Sequence, residues 1–153
     1  MIDKLHHFRP MFLIIIIPIL LSCATTQQKQ GESKDAKSYD LLGITHLQKG
    51  DYDQAIYYFS KWIEMDPKKP EAYNWRGIAY NFMRQYDRAI SDFTKSIEMD
   101  PKIGMFYCNR GRSYYFKKEY DKSWDDIKKA QDLGYQDSPE FLNQLRKASG
   151  RQN

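Results

Sequence analysis

"YNWRGIAYNFMRQYDRAISDFTKSIEMDP" spans residues 73–101, and a copy of its pattern lies on either side. Gly43, Gly77 and Gly111 stand 34 residues apart. Tyr39, Tyr73 and Tyr107 keep the same spacing, as do Tyr52, Tyr86 and Tyr120, and Asp53, Asp87 and Asp121. Self-similarity at a period of this size marks an architecture of stacked units, each burying its apolar face against its neighbours. The three units are 36–69, 70–103 and 104–137.

Each unit reads as two amphipathic helices, at 36–49 and 52–65, 70–83 and 86–99, 104–117 and 120–133. The glycine of the first helix and the alanine of the second (Ala55, Ala89) are small where the pair crosses, and large aromatics flank that point. Asp66-Pro67 and Asp100-Pro101 end the second helices, because proline disfavours helix in the residue before it. Beyond the third unit, Ser138 is a good N-cap, Pro139 a good first helical residue, and Glu140 suits the positive helix end. Phe141, Leu142 and Leu145 give this seventh helix, about 139–148, one apolar stripe. Residues 138–153 therefore read as a cap and tail over the last unit, which lacks a terminal proline.

These units resemble tetratricopeptide repeats (TPR). Tyr73, Gly77, Tyr80, Ala89, Phe93 and Pro101 fill that family's pattern in the second unit. Tyr39, Leu42, Gly43, Ala55, Phe59 and Pro67 fill most of it in the first, with His46 for the second aromatic. The third keeps Tyr107, Gly111 and Tyr114, then has Ser123 for Ala, Ile127 for Phe and Tyr135 for Pro. Arg76 and Arg110 replace the leucine before the glycine. The resemblance implies an all-α, superhelical array of three TPR helix-turn-helix repeats plus a C-terminal capping helix.

It also implies a concave groove lined by one face of each first helix. The first repeat would contribute Lys37, Asp40, Ile44, Leu47 and Gln48. The second would give Glu71, Asn74, Ile78, Asn81 and Phe82, and the third Met105, Cys108, Arg112, Tyr115 and Phe116. Apolar surface mixed with amides and a guanidinium suits an extended peptide. Asn74, Asn81 and Arg112 are expected to be free for a partner, although the cap helix competes for the third repeat's face. Some family members clamp a C-terminal carboxylate with Lys, Asn and Arg. The corresponding positions here hold Asp40, Ile44, Trp75, Met105 and Asn109, so that use is not expected.

Composition narrows the function further. Of 153 residues, 29% are charged and 41% apolar, with a formal net charge of +4. Acids and bases interleave, as in "KKEYDKSWDDIKK" at 117–129, which leaves no basic stripe for nucleic acid. Asp125-Asp126 reads as part of a charged helical face, and Tyr57-Tyr58 and Tyr114-Tyr115-Phe116 as core and inter-repeat packing. There is no Cys/His cluster for a metal, no phosphate loop and no serine elbow, and the lone His46 beyond the N-terminal run reads as packed or solvated. No enzyme activity, cofactor or small-molecule substrate is expected.

The N-terminus supplies a location. Lys4 and Arg9 precede an uncharged run, Met11–Leu21, too short to cross a bilayer core. The run ends at "LLSC", Leu20–Cys23, which resembles the lipobox of bacterial lipoproteins, with leucine where a smaller residue is usual. The resemblance implies that 1–22 is a lipoprotein signal peptide and that Cys23 carries the acyl chains (palmitate and its like). A plain secretory signal beside a chance cysteine is the alternative. Residues 24–35 are small and polar and read with Cys23 as a tether. Ala24 after the cysteine, rather than aspartate, points to the periplasmic face of an outer membrane where the cell has two membranes. The expected function is a membrane-anchored scaffold or assembly adaptor of the bacterial cell envelope that binds a protein or peptide. The alternative is a self-associating structural envelope lipoprotein.

Overall fold

A computed structural model of the chain describes residues 37–151. The signal run, Cys23 and the tether lie outside the described residues. Seven helices and no strands make up the described part: α1 (37–48), α2 (Tyr52–Met65), α3 (Pro70–Phe82), α4 (Tyr86–Met99), α5 (Gly104–Phe116), α6 (Tyr120–Asp132) and α7 (Pro139–Ser149). The helix ends agree with the periodicity to within a residue. The array is the all-α stack of three helix pairs and a cap that the sequence implies.

Each pair closes on its glycine. A methyl group at Gly77 would stand 2.8 Å from Cε1 of Phe93, and one at Gly43 would overlap the ring of Phe59. Phe59 and Phe93 are fully buried, as are Ala55 and Ala89 beside them. The third crossing is looser, because Ile127 replaces the phenylalanine. There a methyl at Gly111 would meet Ser123 O at 3.2 Å and Ile127 Cδ1 at 3.3 Å.

The connections repeat as faithfully as the helices. Each turn between paired helices holds one left-handed residue: Gly50 (φ 78°), Arg84 (φ 59°) and Lys118 (φ 64°). Only the first turn uses the residue that adopts this conformation without strain. Asp66 and Asp100 end α2 and α4 in extended backbone, and each carboxylate accepts from an amide two residues on, Lys68 and Lys102. Tyr73 and Tyr107 then donate back to the carbonyls of Pro67 and Pro101, both at 3.3 Å. The third repeat stops by other means. Gly134, at φ 81°, follows α6, and Tyr135 N–H donates to the Ala130 carbonyl.

The cap is built as its sequence suggests. Ser138 Oγ accepts from Phe141 N–H at 3.2 Å, Pro139 is the first helical residue, and Gly150 ends α7 in the left-handed region. Phe141 and Leu145 are buried in one cluster with Tyr107, Cys108, Ile127 and Ala130. Trp124 Nε1 reaches across to Ser149 Oγ at 3.0 Å. Among the described residues no helix is long and apolar enough to cross a membrane.

Gly77→Ala should lower unfolding free energy by about 1–3 kcal/mol, because Phe93 is fully enclosed and cannot yield. Gly111→Ala should stay within about 1 kcal/mol of the parent, its milder crowding offset by better helix propensity. Urea denaturation of the two variants checks the contrast.

Candidate functional site

The first helices of the second and third repeats, α3 and α5, leave a groove of about 610 Å³ between them. Ile78, Asn81 and Phe82 line it from α3, and Asn109, Arg112 and Phe116 from α5, with Arg84 and Tyr86 at the rim. Ile78, Asn81, Phe82, Arg112 and Phe116 sit where the helical wheel puts them. Asn109, Arg84 and Tyr86 were missed, since two lie past the helix end and the third one step round the face.

Phe82 and Phe116 are 59% and 53% exposed although both are large and apolar. Each stacks one ring face on a tyrosine of the preceding repeat, Phe82 on Tyr52 at 5.0 Å and Phe116 on Tyr86 at 5.4 Å. The stacks hold both rings in place, Phe116 also meets Tyr115 edge-on, and about half of each residue stays open to solvent. Phe116 thus serves in inter-repeat packing only on one face. Tyr57, at 52% exposed, is likewise not core, and touches Tyr58 edge-on.

The three polar residues expected to be free for a partner are engaged in the fold. Asn74 is 1% exposed and its Oδ1 accepts from Asn109 Nδ2 at 2.8 Å. Asn81 Oδ1 accepts from Ser113 Oγ at 2.9 Å. Both bonds tie α3 to α5. Arg112 donates through Nε and Nη2 to the Asp137 carboxylate, and its guanidinium lies 4.8 Å from the centre of the Phe141 ring.

The cap covers more of the third repeat's face than the wheel allows. Cys108 is buried and donates its thiol to Asp137 Oδ2 at 3.1 Å, and Tyr115 meets Phe141 edge-on. Burial, followed by the neighbouring Asp137 carboxylate, pushes the Cys108 thiol up to about 12. At Asp137 burial alone would raise the carboxyl. Hydrogen bonds from Arg112, Cys108 and the Ser138 amide outweigh it and hold the group below its ordinary value.

At the other end, Ile44 and Leu47 pack against the core of the first two repeats. Lys37, Gln48 and Glu71 are exposed, and Met105 and Asp40 are half-buried. Burial, and then the charge of Glu71, raises the Asp40 carboxyl, with Lys37 pulling the other way.

On the outer side, Asp126 is not part of a solvated face. It is buried and takes two hydrogen bonds of 2.8 Å from Arg110, which also reaches Thr94 Oγ1 at 3.1 Å. Arg76 does the same with Asp92 and Ser60, at the same distances. Each arginine joins both second helices of adjacent repeats. The signal was present in the sequence as two arginines and two aspartates that recur at the same period. His46 stacks on Tyr58 and hydrogen-bonds Asp51, in keeping with a packed residue.

Comparison with known proteins accords with this geometry. The family described as "Tetratricopeptide repeat" matches residues 70–103, and the one described as "TPR repeat" matches 43–81. No curated protein sequence matches the chain. Among solved structures, the first TPR of Spaghetti (RPAP3) bound to HSP90 peptide SRMEEVD is similar, with a TM-score of 0.71 and 24% identity over 77% of this chain and 93% of that one. The TPR2B domain of yeast Sti1 in its pHsp70 complex has a TM-score of 0.69 and 23% identity, covering 78% of this chain and 99% of its own. The second TPR domain of human RPAP3, in complex with HSP70 peptide SGPTIEEVD, has a TM-score of 0.68 and 22% identity over 77% and 98%.

The Asp137 cluster has a pH signature. A carboxyl held low in the fold contributes stability above its ordinary value of 3.8 and loses it as pH falls through the lower folded value. Asp137→Asn should therefore be less stable at neutral pH and show a shallower loss of melting temperature between pH 5 and pH 2 (approximate bounds of the carboxylate range). Parallel melting curves for parent and variant would contradict this account of how the cap is held.

Proposed function

Because this chain belongs to the tetratricopeptide-repeat family, we propose that it is a protein-interaction scaffold whose concave groove between α3 and α5 holds a segment of a partner. The observation that carries this is the pair of half-open phenylalanines, Phe82 and Phe116, fixed by stacking in a groove that also offers amide groups. Rigid aromatics with exposed faces bury apolar area on a partner with little loss of side-chain freedom. Asn81 Nδ2 and Asn109 Oδ1 supply a donor and an acceptor for a peptide backbone, while each amide's other end is used by the fold.

The acidic peptides named for the RPAP3 domains are ligands of those proteins. Here Asp40, Ile44, Trp75, Met105 and Asn109 stand where carboxylate-clamping members carry Lys, Asn and Arg, which disfavours such a tail as the occupant.

The scaffold is proposed to work at a membrane of the bacterial cell envelope. "LLSC" at 20–23 supports acylation of Cys23, and the polar stretch 24–35 supports a tether of roughly 20 Å reach. Two or three acyl chains hold stably where one does not. Ala24 favours the outer membrane, periplasmic side, in a cell with two membranes. The partner is then an envelope protein that the scaffold places or helps to assemble.

Phe82→Ala combined with Phe116→Ala should abolish partner capture from solubilised envelopes. Each lost stack costs about 0.5–1.5 kcal/mol, so the protein stays folded. Lys95→Ala, on α4 away from the groove, should leave capture unchanged. A folded double variant that captures its partner at full strength would rule out the groove. Separately, Cys23→Ala should leave unprocessed, unacylated precursor, which mass spectrometry of the intact protein detects. Mature protein beginning at any other residue would overturn the anchor.

A further inference from the structure

The charged groups that line the groove between α3 and α5 are all of one sign. Arg84 and Arg112 bring guanidinium groups, and no carboxylate lines it among the described residues. Arg84 is exposed just past the end of α3 and makes no ion pair among the described residues. The nearest acid in sequence, Asp87, is held by Lys117. Arg112 is paired, but its partner Asp137 does not line the groove. The Asp137 side chain is 4% exposed and that of Arg112 is 41%, so an occupant meets the arginine and not the aspartate.

The fold itself does not ask for a cation at position 84. This residue holds a left-handed turn, at φ 59°, where the first repeat has Gly50 at φ 78°. Glycine takes that conformation freely, and arginine takes it at a cost. Among the described residues only the Arg84 backbone N–H is bonded, to the Asn81 carbonyl, and the side chain adds nothing that would offset the strain.

Phe82 comes two residues before Arg84, and both line the groove. Their Cα atoms are at most about 7 Å apart. Alternate residues of an extended segment have the same separation, about 7 Å, and point to the same side.

Building on the groove proposed above, we infer that its occupant is an internal, extended segment of a partner with an aspartate or glutamate and two apolar residues at alternate positions. The carboxylate pairs with Arg84. The apolar side chains cover the open surface of Phe82 and Phe116. The recognised acid is a side chain and not a chain terminus, so the segment needs no free end. The chain's own stretch 24–35 has no large apolar residue and does not supply it.

Fluorescein-labelled peptides of about ten residues, acetylated and amidated, test this by anisotropy on the full chain in mild detergent. They carry glutamate, leucine and phenylalanine at alternate positions, in both chain directions, and matched peptides have lysine for the glutamate. The better glutamate peptide should bind about tenfold tighter than its lysine match, with the preference shrinking at high salt. Arg84→Gln and Arg84→Gly should erase the preference. The glycine variant should melt no lower than the parent, since it relieves the turn. Arg84→Lys and Lys118→Gln should keep the preference. Lys118 holds the matching left-handed turn of the third repeat and does not line this groove.

Equal or reversed binding of the glutamate and lysine peptides, no binding by any peptide, or a preference that outlasts Arg84→Gln overturns the acidic class. So does a glutamate-free peptide with a free C-terminal carboxylate that binds better than every amidated one, which would make the occupant a tail. Self-association of the chain that Arg84→Gln abolishes would put a second copy in the groove and overturn it as well. The groove is scored apart, by a photocrosslinking phenylalanine analogue at position 82. Where the acidic class fails, an analogue that still joins an envelope protein keeps the groove, and one that joins none removes it too.

Discussion

Everything in the array follows from how closely two helices can approach at one glycine. With no side chain at Gly43 or Gly77, a phenylalanine from the second helix lies flat against bare backbone. That contact sets the angle within a pair, and the angle sets which residues of the next pair meet it. Repetition every 34 residues turns a local packing rule into a curved stack with an inner and an outer side. The third crossing relaxes the rule with Ile127, and there α7 packs on the third pair through Phe141 and Leu145.

The junctions between repeats use polar bonds as well as packing. Arg76 and Arg110 each lie near two tyrosine rings of their own helix and fork onto an aspartate, with one nitrogen left for the preceding repeat. Such pairs add little net stability over an apolar filling, but removing one partner leaves a buried charge, so they enforce one register. On the inner side, Asn74–Asn109 and Asn81–Ser113 act in the same way. The proposed binding surface joins the open faces of Phe82 and Phe116 to the valences these bonds leave unused.

This division explains what the sequence could and could not tell. Helix limits, the crossing glycines, the stop at Asp-Pro and the Ser138 cap depend on neighbours a few residues apart, and all were legible. The exposed phenylalanines fell on the expected face for the same reason. Asn74, Asn81 and Arg112 were misjudged because their partners lie 25–35 residues away, on helices whose offset no single helical wheel contains. Asp126 was misjudged because its neighbour Asp125 is exposed and the two look alike in sequence. What would have corrected it is the joint recurrence of Arg and Asp in two repeats, set against Leu42 and Tyr58 in the first.

That first repeat has a consequence for motion. Leu42 replaces the forked arginine, Leu41 beside it is 67% exposed, and among the described residues no helix precedes α1 to cover either. The far end is sealed by a buried leucine and phenylalanine and by the Arg112–Asp137 pair. Neighbour coupling in a linear stack makes each unit only as firm as the contacts on its two sides. Among the described helices, local opening is therefore easiest at α1, and amide protons should become slower to exchange from the first repeat toward α5. The seven described helices behave like a zip that parts more readily from one side, and the most yielding of them is α1.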